Sequence, residues 1–92
     1  MDIQATISKL QSDIKHLAVK INFVECRVNW WLGDAKKNPN ELISWRNYHY
    51  WKDYLNNCVK QQKINKSLYK LMCKIQKQMP NGSISMAEIR EI

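Results

Sequence analysis

Only two glycines and two prolines interrupt these 92 residues. So few breaks exclude a many-turned β fold and favour long helices. No apolar run approaches the ~20 residues that a membrane-spanning helix needs. The N-terminus shows no basic start followed by an apolar stretch, so no secretory signal is expected and the chain reads as cytoplasmic, without a membrane partner. Cys26, Cys58 and Cys73 leave an odd thiol and contain no C-x-x-C pair. A disulfide framework is therefore not expected, and reduced thiols packed as small hydrophobes are. From Tyr54 to Ala87 the chain contains no acid at all.

The motifs of catalysis are also missing. There is no glycine-rich dinucleotide loop and no phosphate-binding P-loop. His16 and His49 belong to no metal-spaced motif, and a zinc site needs three or four ligands. An antiparallel hairpin would bring His16 level with Cys58, but one such pair, without an orienting group and a cleft, is not an activated nucleophile. The expectation is a non-enzyme with no cofactor, no metal and no small-molecule substrate. A helix-turn-helix would require shorter helices and a tighter turn.

What the chain does have is a ladder. Ile3, Ile7, Leu10, Ile14, Leu17, Ile21, Val24, Val28 and Trp31 recur at alternating spacings of four and three. This is the seam of a coiled coil. With Ile7, Ile14, Ile21 and Val28 as a positions, all are β-branched, a choice that favours parallel two-stranded coils. The flanking positions specify that pairing only weakly, through one attractive interchain pair, Lys20 with Glu25. The ladder can instead pack on the chain's own second helix.

The first helix is expected from Asp2, an effective N-cap, to about residue 33, with Gly33 as its C-terminal stop. A polar turn over 34–38 follows. Asn38-Pro39-Asn40-Glu41 places a cap, an N1 proline and an N3 glutamate in order, which predicts a second helix from Pro39 to Met79. The polar run Lys60 to Lys63 is where that helix would bend or split. Pro80-Asn81-Gly82 is a turn, and Ser85-Met86-Ala87-Glu88 has the capping-box pattern of a short last helix within 80–92. On the second helix Ile43, Tyr50, Tyr54, Ile64, Leu68, Leu71 and Ile75 lie at heptad spacing, interrupted by Asn47, Asn57 and Gln61. The fold class expected is an all-α antiparallel hairpin, one domain, packed as a dimeric four-helix bundle or on a partner.

Two features bear on function. Trp30, Trp31, Trp45, Tyr48, Trp51 and Tyr54 gather at the turn end of such a hairpin, as does Tyr50. Both helices are two-sided there: Phe23, Cys26 and Trp30 lie away from the seam, and the apolar sector of the second helix is wider than the ~100° that one neighbour covers. Uncovered apolar surface at that end is the expectation, and Trp, Tyr and Arg dominate interface hot spots. The second feature is a stripe of Lys60, Lys63, Lys66, Lys70, Lys74 and Lys77, running about 25 Å at 1.5 Å per residue. With a net charge of +7, it points to a phosphate backbone or an acidic protein surface. Lysine without arginine suits general attraction more than bidentate base reading.

The sequence therefore supports an adaptor or inhibitor that docks on a protein, such as nucleic-acid machinery, or on a second copy of itself. The alternatives are direct, largely sequence-independent nucleic-acid binding along the lysines, and a structural coiled-coil subunit. The wealth of Asn, Lys and Ile points to an AT-rich coding sequence, as many small phage genes have. Trp31-Leu32-Gly33 near the turn of a helical hairpin resembles the Trp-x-Gly proteins exported by specialised bacterial secretion systems. The likeness covers three residues and the layout, and it stops short of the tyrosine-acid export signal and of the charge and tryptophan content of those proteins.

Overall fold

In the computed structural model the chain is an all-α helical hairpin, and the structure describes residues 2–78. Helix α1 spans Ile3–Lys37 and helix α2 spans Leu42–Gln78. The helices form two compact units. Among the described residues, the first comprises residues 2–15 and 63–78 and the second His16–Gln62.

Asp2 caps α1 as its residue type dictates. Its carboxylate accepts the Ala5 amide at 3.2 Å, and its carbonyl accepts the Thr6 amide, the first bond of the helix ladder. The other end departs from expectation. Gly33 does not stop α1, which continues to Lys37. The apolar ladder explains why: Ala35 occupies its next rung, seven residues after Val28, and is fully buried. Burial there outweighs the ~1 kcal/mol that a helical glycine costs. Trp31-Leu32-Gly33 accordingly lies inside a helix and not in the turn.

Asn38, expected to cap α2, instead closes α1. Its amide and side-chain Nδ2 both donate to the Asp34 carbonyl, at 3.0 and 3.3 Å. The Asn38 carbonyl then accepts the Glu41 amide at 3.0 Å. That makes Asn38–Glu41 a β-turn with Pro39 at its second position, where its fixed φ is favourable. So α2 opens at Leu42, three residues later than the capping pattern predicts. From there it runs through Lys60–Lys63 as one helix. The predicted turn at 80–82 and the short helix after it lie outside the described residues, as does Met79.

In the first unit Ile3, Ile7 and Leu10 of α1 form a core with Met72 and Ile75 of α2, flanked by Tyr69 and Cys73. Two side-chain bonds tie the same segments, Gln11 Nε2 to the Tyr69 hydroxyl at 3.1 Å and Gln76 Nε2 to Gln4 Oε1. In the second unit Val24, Val28, Ala35, Ser44, Cys58 and Gln62 are buried, with Leu17, Ile21, Trp31 and Leu55 half-buried beside them. The α1 ladder is thus occupied within the chain.

The face that α2 turns inward differs from the expected seam. Of the residues assigned to it, Ile75 is buried and Tyr54 half-buried, whereas Ile43, Tyr50, Ile64, Leu68 and Leu71 are exposed. Ser44, Cys58, Gln62, Asn65 and Met72 lie inward instead. In the second unit a side-chain hydrogen bond fixes the choice at the start of α2. The Ser44 hydroxyl donates to Asp34 Oδ2 at 2.6 Å, which pins the start of α2 against the end of α1.

Candidate protein-interaction site

The aromatic residues singled out in the sequence all fall in the second unit, and the helices hold them as edge-on pairs. The Trp30 and Trp31 centroids are 4.6 Å apart, with Trp30 exposed and Trp31 half-buried. Trp45 is anchored by its indole N–H, which donates to the Pro39 carbonyl at 3.0 Å, and its ring meets Tyr48 at 6.3 Å. Tyr48 in turn tilts against His49 at 5.1 Å. Trp51 is the hub of a larger group, edge-on to Tyr50 at 5.6 Å, Tyr54 at 5.9 Å and Phe23 at 6.4 Å. Such T-shaped contacts add about 0.5–1.5 kcal/mol each beyond the area they bury.

Lys20, Phe23, Val24, Tyr50, Trp51 and Tyr54 line a cleft of about 230 Å³. Lys20 Nζ sits over the Tyr54 ring, 5.1 Å from its centroid. A hydrogen bond with Tyr54 and the charge of that group raise the Lys20 pKa above the ordinary 10.5; desolvation opposes the rise and Cys58 adds a little to it. On the other side of Phe23, the Arg27 guanidinium lies 5.3 Å from the ring centroid. Cationic heads thus rest on aromatic faces at this end, a weak attraction where solvent reaches it.

Exposure sorts these residues. Of the six aromatics that the sequence gathers at the turn end as candidate partner contacts, Trp30 is exposed, while Trp31, Trp45, Tyr48, Trp51 and Tyr54 are half-buried. Large apolar groups left in solvent in the second unit include Phe23, Trp30, Ile43 and Tyr50, between 53% and 70% exposed, together with Val19 and Leu42. Phe23 and Trp30 are legible as the α1 face away from the ladder. Ile43 and Tyr50 belong to the over-wide apolar sector of the second helix, but their heptad spacing also fits an inward seam, and the structure leaves both exposed.

The lysines divide between the units. Lys60 belongs to the second, and Lys63, Lys66, Lys70, Lys74 and Lys77 to the first. All six are exposed, and no ion pair involving them occurs among the described residues. Also exposed on the α2 segment of the first unit are Ile64, Leu68 and Leu71.

Cys58 is buried and His16 exposed. Among the described residues no group of three or more His, Cys, Asp or Glu could hold a metal ion. No described helix is long and apolar enough to cross a membrane. Comparison with known proteins finds no match to a family model, a curated protein or a solved structure.

Proposed function

We propose that this protein is a non-enzymatic interaction module, a small basic adaptor or inhibitor that docks on another protein through the aromatic end of its hairpin. The observation that carries the reading is the exposure of Phe23, Trp30, Ile43 and Tyr50 in one unit. Single exposed hydrophobes are ordinary, but several large ones gathered in a small domain mark an interaction surface. Their neighbours are already held by edge-on ring contacts, so a partner meets rigid anchors that lose little side-chain freedom on binding. The net charge of +7 steers encounters toward acidic partners. A second copy of the chain is one partner such a surface accepts, and would give the dimeric four-helix bundle.

The test compares wild type with a Phe23→Ser, Tyr50→Ser double variant. Each is immobilised and exposed to extract of the native host, with and without nuclease; sedimentation velocity reports self-association. A protein partner or dimer that survives nuclease and is lost in the variant, with helicity and melting temperature unchanged, supports the reading. Retention that vanishes with nuclease in wild type, or partners equally retained by the variant, refutes it.

A further inference from the structure

We propose that the first unit carries a second, independent docking surface, whose occupant is an amphipathic helix of a partner protein with acidic residues flanking its apolar stripe. The surface is the ridge of Ile64, Leu68 and Leu71 on α2, between 40% and 53% exposed. These positions are four and three apart, so their side chains form one row along a helix face. The core of this unit engages α2 through Asn65, Met72 and Ile75, with Tyr69 at its edge. At 100° per residue the ridge lies beside that buried face, and the lysines lie beyond the ridge. Lys74 stands one turn from Leu71, and Lys63 and Lys70 directly precede Ile64 and Leu71.

The chemistry selects among occupants. A row of branched aliphatic side chains gains nothing from phosphate, and Tyr69, the one aromatic on this segment, is half-buried with its hydroxyl accepting a hydrogen bond from Gln11. Nucleic acid would thus satisfy the lysines and leave the ridge wet, whereas single-strand binders place exposed aromatics among their cations. A second copy would bring the same ridge with the same lysines and no acid between Tyr54 and Ala87, so like charges would meet along the contact. An apolar stripe with glutamates or aspartates at its edge satisfies ridge and lysines together, as in helix-in-groove recognition.

Fluorescence anisotropy on the full chain provides the test. The probes are a labelled helical peptide with leucines at i, i+3, i+4 and i+7 and glutamates flanking them, the same peptide with lysines for the glutamates, and a labelled DNA duplex. The glutamate peptide is expected to bind and the lysine peptide not. Leu68→Gln with Leu71→Gln should weaken the glutamate peptide about tenfold or more, the scale of losing an interface anchor. Lys63→Gln, Lys70→Gln and Lys74→Gln together should weaken it by a similar factor and flatten its salt dependence. Phe23→Ser with Tyr50→Ser should leave this binding unchanged, so failure of the aromatic site and failure of this one are distinguishable. Absence of glutamate-peptide binding, equal binding of both peptides, or binding indifferent to Leu68 and Leu71 overturns the proposal. So does DNA binding that displaces the glutamate peptide and ignores the leucine substitutions, or a wild-type dimer that Leu68→Gln dissociates. Circular dichroism confirms that each variant folds.

Discussion

Replacing Gly33 by alanine should stabilise the protein. Gly33 lies inside α1, four residues before its end, and a Cβ built there meets no atom within 4 Å. Its backbone is not in the left-handed region that would favour glycine. The substitution therefore adds a methyl group without a clash and removes conformational freedom from the unfolded chain. A helical, exposed Gly→Ala change of this kind contributes about 0.5–1 kcal/mol. For a domain of this size about 1 kcal/mol moves the midpoint by roughly 4–8 °C, so a rise of about 2–8 °C is expected in a thermal melt followed at 222 nm. Urea titration should show a higher midpoint with an unchanged slope, since the surface exposed on unfolding is unaltered. The opposite sign would refute the reasoning: had α1 ended at Leu32 with Gly33 as a left-handed cap, alanine would strain the backbone and lower the midpoint by a comparable amount.

The same physical reading sets four further expectations. Asp34→Ala removes the acceptor of the buried Ser44 hydroxyl and should cost about 1–3 kcal/mol in denaturant unfolding; Asp34→Ala with Ser44→Ala should cost less than the sum of the single changes. Met72→Gln places an amide in the core of the first unit and should cost about 2 kcal/mol or more, whereas Leu68→Gln, already exposed, should stay within about 0.5 kcal/mol; the reverse order would mean that the other face of α2 meets α1. In the native protein a chromogenic disulfide reagent should modify exposed Cys26 first, half-buried Cys73 more slowly, and buried Cys58 only on unfolding; three equally fast thiols would contradict this burial. Because Tyr54 raises the Lys20 pKa above 10.5, the stabilising contact is fully present below 10.5 and is lost as pH climbs through the raised value; an NMR titration should place the Lys20 midpoint above 10.5 and lower it in Tyr54→Phe.

Where the sequence is informative, one physical period governs it. The α1 ladder fixes both the helix and its inward face, since Ile3, Ile7, Leu10, Val24 and Val28 are all buried. Asp2 acts as the cap its side chain predicts. Local signals mislead where a longer-range term opposes them. Gly33 reads as a stop only while Ala35 is overlooked as the next rung, and Asn38-Pro39-Asn40-Glu41 reads as a helix start although Asn38 is already engaged with Asp34. The inward face of α2 was not legible, because two of its faces have heptad spacing and the more apolar one is not the one chosen. Ser44, Gln62 and Asn65, polar and buried, carry no hydropathy signal. Only the tertiary partners, Asp34 for Ser44 and the Ile3–Ile7–Leu10 row for Met72 and Ile75, reveal the register. The aromatics follow the same pattern: their gathering in one unit was legible, while the division into half-buried and exposed members depended on that register.

Charge makes the two exposed apolar surfaces chemically unequal. The second unit mixes signs, with Glu25, Asp34, Glu41 and Asp53 among Lys20, Arg27, Lys36, Lys37, Arg46, Lys52 and Lys60. Such a surface can meet a copy of itself, because a two-fold contact can set its acids against its own bases. The ridge of the first unit has no such option, since every charge on its α2 segment from Lys63 to Gln78 is positive. Desolvating like charges across a contact costs free energy that the apolar gain must overcome, so the acids have to come from elsewhere. The proposed self-association through the aromatic end and the proposed capture of an acidic helix on the ridge should therefore be separable by experiment. Salt distinguishes them: screening should weaken binding at the ridge sharply, whereas self-association of two like-charged copies at the aromatic end should not weaken and should gain from the screened repulsion.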